Sequence, residues 1–388
     1  MMKKRISGRT LVLVIALVIG VLFAVGFIIA DRIYDSSPEN AVPKKMKVPD
    51  GVTYIRWSNK DGGKNSMEKL KACLTALEPS VAISKAEELE WKDICPENFW
   101  VKNFSVTTYD NANFKLYNFK YYPDASGNKK MSQEIEKASE DIISTVRKSS
   151  GGTQWEDILL VHDELIRRTE FVEDDEDGDH THDIYGALVL KRAVCQGYTY
   201  AFSYILDKMG YSCSEIYSKE HIWTKVNSLE TGERYIDVTW DDYNKNDRNG
   251  EPFIHHNFFC LTKAEMESFD EHTPENNEDK ETLTTVGDNY YRKKNYYIKK
   301  GDEMGFRASA LEQYQQGKNL LEFRFESKED YEKAGDWMIA VLKELGYKEK
   351  SYYVYNKPEL LTYCAGLYVA EEDKEQEKEQ EQEQEKTA

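Results

Sequence analysis

Hydrophobic and polar positions along this chain fall into blocks of different period. Thr10 to Ala30 is an almost unbroken apolar run, about the 20 residues a helix needs to cross a bilayer. Asp31 to Pro49 is polar, carries Ser-Ser-Pro and Pro-Lys-Lys, and reads as a linker. Beyond it, Met67, Leu70, Cys73, Leu74 and Leu77 recur at helical spacing. Phe114 to Tyr122 is aromatic-rich and stops at Pro123, which predicts a strand. Met131 to Arg147 and Thr153 to Thr169 predict helices. In the second, Ile158, Leu159, His162, Leu165 and Ile166 share a face, and Thr153 is placed to cap it.

Cys195 opens the next helical block, with Tyr198, Ala201, Phe202, Ile205 and Met209 on one side and Gly210 closing it. Three strands are predicted after it: Tyr211 to Tyr217, His221 to Ser228 and Arg234 to Trp240. The last two form a hairpin through Leu229 to Glu233. Phe253 to Leu261 predicts a further strand between polar loops at 241–251 and 270–279. Leu320 to Phe325, a helix from Lys328 to about Leu345 capped by Ser327, and strands at Ser351 to Tyr355 and Leu361 to Val369 make a βαββ unit. Glu371 to Ala388 is a Glu/Gln/Lys run that cannot bury surface and reads as a disordered tail.

The fold class expected is α+β. The predicted order is a cytoplasmic N-terminus (1–9), a transmembrane signal-anchor (10–30), a linker (31–49), an N-terminal α/β extension (50–150), a central core (151–275), a connecting segment (276–318), a small βαββ domain (319–370) and a disordered acidic tail (371–388).

The charge distribution adds orientation. Lys3, Lys4, Arg5 and Arg9 precede the apolar run, which keeps the N-terminus in the cytoplasm and puts the bulk of the chain outside the cell. A cleaved signal peptide is the rival reading. It ranks second because the run is long and Ile28-Ile29-Ala30-Asp31 lacks a small-x-small cleavage site. A net charge of −18 argues against a nucleic-acid partner.

Six cysteines in an exported chain permit disulfides. Keeping Cys195 as a thiol leaves five, so at least one other is unpaired. Cys213 and Cys260 read as small core residues, and Cys73 with Cys95 as a candidate bridge. The acidic stretch Glu173 to Asp183 resembles a calcium loop, but a frame anchored on Gly178 puts Ile184 where a bidentate Glu is required. His180 and His182 have no further ligands at useful spacing, so the stretch reads as a solvated loop. No metal or organic cofactor is predicted.

The chemistry is concentrated in three residues. Cys195 lies at a helix start, where the helix dipole favours a thiolate. On a strand, His221, Trp223, Lys225 and Asn227 share one face, and Tyr235, Asp237 and Thr239 share one face of the next. Antiparallel pairing of even register puts His221 opposite or diagonal to Asp237, whereas an odd register separates them. Cysteine, imidazole and carboxylate then make a nucleophile, its base and an orienter. The backbone N–H of Cys195 is one oxyanion donor, with Tyr185 as a weak candidate for a second. Asp241 and Asp242 read as loop caps, Trp223 and Trp240 as packing, and His162, Asp163, His255 and His256 as structural.

Residues 155–266 resemble the transglutaminase-like superfamily, in the branch found in exported proteins of Gram-positive bacteria. The segments that carry the resemblance are His162-Asp163-Glu164-Leu165, Tyr185-Gly186-Ala187-Leu188-Val189, Ala193-Val194-Cys195-Gln196-Gly197-Tyr198, His221-Ile222-Trp223 and Tyr235-Ile236-Asp237-Val238-Thr239-Trp240-Asp241-Asp242. The resemblance implies a papain-like core, with the Cys helix packed on an antiparallel sheet, and a Cys195–His221–Asp237 triad. It also implies action on a cell-surface protein or peptide by hydrolysis, transamidation or deamidation through a thioester. Relatives commonly carry His-Ala-Trp-Asn where this chain has His221-Ile222-Trp223-Thr224. Some members are inactive, so a catalytically inert binding module is the alternative.

Overall fold

The computed structural model describes residues 46–56, 64–85, 88–94, 96–173, 180–229, 232–247, 249–274, 289–347 and 352–368. The segments read as a membrane span and an acidic tail lie outside these residues, as do Cys95 and most of the acidic loop. Among the described residues no helix is long and apolar enough to cross a membrane.

The chain divides into two compact units, one of Met1–Glu90 with Asn103–Lys120 and one of Trp91–Lys102 with Tyr121–Ala388. The first carries β1 (Thr53–Ile55), α1 (Lys64–Thr75), β2 (Ser80–Ser84) and the greater part of β3 (Val101–Thr108) and β4 (Phe114–Tyr121), with the sheet in the order β1-β2-β4-β3. Ala82 and Phe114, both buried, anchor a small core there.

In the second unit, α2 (Asn128–Ser149) and α3 (Gln154–Arg168) precede the short parallel pair β5 (Glu170–Phe171) and β6 (Arg192–Ala193). The start of α3 is fixed by Thr153, whose hydroxyl accepts from the Glu156 N–H at 3.3 Å. Next come α4 (Cys195–Lys208) and an antiparallel sheet of β7 (Cys213–Tyr217), β8 (Ile222–Leu229) and β9 (Gly232–Ile236) in the order β7-β8-β9. Helix α4 is buried on most of its circumference, including Tyr198, Tyr200, Phe202 and Ile205. It is held to β8 by Thr199, whose hydroxyl donates to the Ile222 carbonyl, and by the Ser203–Thr224 hydroxyl pair.

Two predicted strands are shorter than expected. The strand read over Arg234 to Trp240 ends at Ile236. Asp237 then caps a one-turn helix, Val238–Asp241, because its carboxylate takes the Thr239 and Trp240 N–H groups. That leaves β10 (Asp242–Asn246) to pair with β11 (Pro252–Ile254). The strand read over Phe253 to Leu261 stops at Ile254. Beyond it, backbone N–H groups go to buried carboxylates instead of a ladder: His256 to Glu322 and Phe258 to Asp241.

The C-terminal sheet is larger than the βαββ unit expected. It runs β12 (Tyr297–Ile298), β13 (Leu320–Phe325), β15 (Thr362–Leu367) and β14 (Tyr352–Lys357), in the order β12-β13-β15-β14. Helices α5 (Glu303–Gln315) and α6 (Lys328–Glu344) cover one face, with Phe306, Phe323, Phe325 and Met338 in the shared core. Thus β12 and α5, in the segment read as a connector, belong to this sheet. Ser327 caps α6 by accepting from the Asp330 N–H.

Candidate active site

Three elements meet at Cys195. The first residue of α4 is the cysteine itself, and the residue before it is Val194, in extended conformation with no side chain capping the helix. An apolar residue at that position leaves the first turn's N–H groups and the positive end of the helix dipole facing whatever charge develops at the sulfur. The turn is pressed against the segment from Thr181 to Asp183. A Cβ added at Gly197 would lie 2.8 Å from both the Ala193 Cβ and the Thr181 carbonyl, so only glycine fits. Gly186 is under the same constraint, since a Cβ there would meet the His180 carbonyl at 1.7 Å. These close approaches are the physical content of the Cys-Gln-Gly and Tyr-Gly motifs.

His221 lies one residue before β8. The register pairs Thr224 with Ile236, which places Trp223 across from Asp237 and His221 diagonal to it on the same face. The ring reaches the carboxylate: His221 Nε2 and Asp237 Oδ2 are 2.6 Å apart. With Nε2 so engaged, Nδ1 is the ring nitrogen left to serve the Cys195 side chain, which lies near enough to act on the charge of the His221 ring. Burial disfavours the imidazolium, but the Asp237 carboxylate and then the Cys195 sulfur more than offset it and lift the ring's pKa to about 10. Asp237 itself is 1% exposed. Burial would raise its pKa, yet the His221 and His272 rings hold it well below the usual carboxylate range. Cys195 is half-buried. The structure therefore joins His221 and Asp237 by a hydrogen bond and places Cys195 near enough to influence the His221 ring.

His272 joins the same carboxylate oxygen, with Nε2 2.8 Å from Asp237 Oδ2 and its ring centroid 5.0 Å from that of His221. It is wholly buried, among Trp223, Trp240, Phe258 and Phe269. Sequence reasoning left it in a polar loop, and no periodicity marks it. Lys357, at the end of β14, sits with Nζ 4.5 Å from the Trp240 ring centroid. It was also missed, because nothing in β14 alone points toward the site.

A second buried network backs the first. His162 pairs with Asp163 at 2.9 Å and with Asp241 at 3.2 Å. His256 bridges Asp163 at 3.1 Å and Glu322 at 2.9 Å. Burial works against a charged His256, yet Glu322 and Asp163 raise its pKa to about 10. Asp241 is therefore more than a loop cap: it is fully buried, accepts from the Phe258 N–H, and is raised by burial to about 6. Asp242 accepts from the Tyr198 hydroxyl and the Asn244 N–H, in keeping with a cap.

Two expectations are corrected. The Tyr185 hydroxyl donates to Glu134 at 2.9 Å and is not directed at Cys195 as an oxyanion donor. The stretch read as a solvated loop ends buried: His180 is 1% exposed, pairs with Asp183 at 2.7 Å and with Asp124 at 3.1 Å, and stacks on Tyr122. The stem of that loop is thus tied down by a buried imidazole between two carboxylates.

No family model matches the sequence, and no curated protein matches it. Among solved structures, the chain is similar to a TGase at 13% identity and a TM-score of 0.25, over 49% of this chain and 60% of that one. It is similar to menin at 18% identity and a TM-score of 0.22, over 32% of each chain. It is also similar to a candidate cysteine protease from Cytophaga hutchinsonii at 9% identity and a TM-score of 0.22, over 45% of this chain and 68% of that one. Likenesses of this size carry no chemistry, which rests on the side chains themselves.

Proposed function

We propose that this chain is a transglutaminase-like cysteine enzyme that acts on protein or peptide amides. The observation that carries the reading is the His221–Asp237 hydrogen bond beside Cys195, which opens a helix that no side chain caps. The Cys195 thiolate attacks the amide carbonyl carbon, and the carbonyl electron pair moves to oxygen. The Cys195 N–H stabilises that oxyanion. As the C–N bond breaks, His221 gives its Nδ1 proton to the departing amine and a thioester remains. Water or an amine then attacks the thioester, His221 takes the proton, and the thiolate leaves. The first outcome is hydrolysis or deamidation, and the second is transamidation. No metal or organic cofactor takes part in this scheme.

The location belongs to the same proposal. The apolar run at 10–30, with its cationic lead, supports a single-pass anchor with the folded units outside the cell and a cell-surface protein or peptide as substrate.

An activated phenyl ester tests the reading, because it acylates the nucleophile without needing the true substrate. Intact-mass measurement is expected to show one acyl group, on Cys195, absent in Cys195→Ala. Acylation of His221→Ala is expected to be slower by about 100-fold. Equal, slow acylation of the wild type and His221→Ala would instead identify an inert binding module.

A further inference from the structure

We propose that His272 is a positioning residue of the site: its Nε2–H donates a second hydrogen bond to Asp237 Oδ2, so that two imidazoles share one carboxylate oxygen. The inference builds on the triad reading above, but it concerns how the carboxylate is held and not which atom is the nucleophile.

The geometry is specific. Asp237 Oδ1 is occupied by the Thr239 and Trp240 N–H groups at 3.0 and 3.2 Å. Oδ2 is occupied by His221 at 2.6 Å and His272 at 2.8 Å. A carboxylate only accepts, so Nε2 of His272 carries the hydrogen. Its Nδ1 has no hydrogen-bond partner among the described residues. One hydrogen bond and four aromatic walls therefore fix the ring. A phenylalanine would pack in those walls as well, so the histidine is not explained by packing.

Sharing has a chemical consequence. A carboxylate with four donors is less basic than one with three. It attracts the His221 proton less strongly, leaving His221 a better acid toward the departing amine. The other titratable groups facing this cluster are Cys195, from α4, and the β14 residues Tyr355 and Lys357, with Asp241 and Glu271 close by. The Lys357 charge acts on Asp237 in the same direction as the His272 donor, so the variants below leave Lys357 in place.

The test reads His221 directly, by following its imidazole nitrogen resonances against pH in the wild type, His272→Phe and His272→Gln. In His272→Phe the pH at which His221 loses its proton is expected to move up by about one pH unit, the size of one hydrogen bond to a charged group. His272→Gln restores a donor and is expected to return it to the wild-type value. Superimposable titrations of the wild type and His272→Phe would overturn the proposal. Should His272→Phe not fold, the wild type alone decides: a His272 Nε2 that bears no proton would overturn the proposal, and a protonated, hydrogen-bonded Nε2 that responds to His221 titration would sustain it. Iodoacetamide labelling of Cys195 on the same samples separates the two claims. Slow labelling at every pH with a shifted His221 titration would refute the enzyme reading alone. Fast labelling with an unshifted titration would refute the His272 role alone.

Discussion

Asp237 divides its carboxylate between structure and chemistry. One oxygen caps the turn that ends β9, and the other receives two imidazoles. Asp237→Asn keeps the size and the cap but replaces a charged acceptor with an amide. His221 then loses the group that holds its ring and stabilises its charge, and acylation of Cys195 is expected to fall by about 1,000-fold, measured by the activated-ester assay. At this scale the sequence was informative where partners are near in the chain. Cysteine at a helix start and two strands of matched parity are local facts. His272 and Glu322 were not legible, because they reach their partners across 35 and 66 residues; no period places His272, and the alternation of β13 gives Glu322 a face but no partner.

Elements were legible where a cap or a period fixes them. Thr153 and Ser327 marked helix starts within a residue, since a hydroxyl that accepts an N3 N–H works from sequence-local geometry. The strand end at Ile236 is set by the adjacent Asp237 carboxylate, which the strand period hid, and that at Ile254 was not legible because the buried carboxylates of Glu322 and Asp241, distant in the chain, divert the backbone from its ladder. The same logic makes the start of α4 sensitive to volume. Gly197→Ala would force a Cβ against the Thr181 carbonyl, and is expected to cost about 1–3 kcal/mol in chemical denaturation and to slow alkylation of Cys195. Thr153→Ala is expected to cost about 1 kcal/mol without altering Cys195 reactivity. The pair separates damage at the nucleophile's turn from general loss of stability.

Across the second unit, the C-terminal sheet is bound to the core through Glu322, His256, Asp163, His162 and Asp241. Glu322→Gln removes one of the two carboxylates that flank a buried imidazolium, and about 3–5 kcal/mol of stability is expected to go with it. The network also gives stability a pH dependence. His256, flanked by two carboxylates, has a pKa raised from 6.5 to about 10 in the folded chain. Between those limits the folded state binds more protons than the unfolded one, so stability falls as pH rises. The contribution is complete below about pH 6.5 and gone above about pH 10. Thermal melting followed from pH 6 to pH 10 is expected to show Tm falling steadily over this window, with a shallower fall in His256→Gln. That coupling could not be read from the chain, since it arises only when residues from α3, the turn after β9, the segment after β11 and β13 are packed together.

Whether Cys195 is a nucleophile activated by His221 is the question on which everything else turns. The rate of Cys195 alkylation by iodoacetamide at pH 6, compared between the wild type and His221→Ala, answers it. The account predicts rapid alkylation of the wild type and much slower alkylation of His221→Ala. Equal, slow alkylation of both proteins would contradict it.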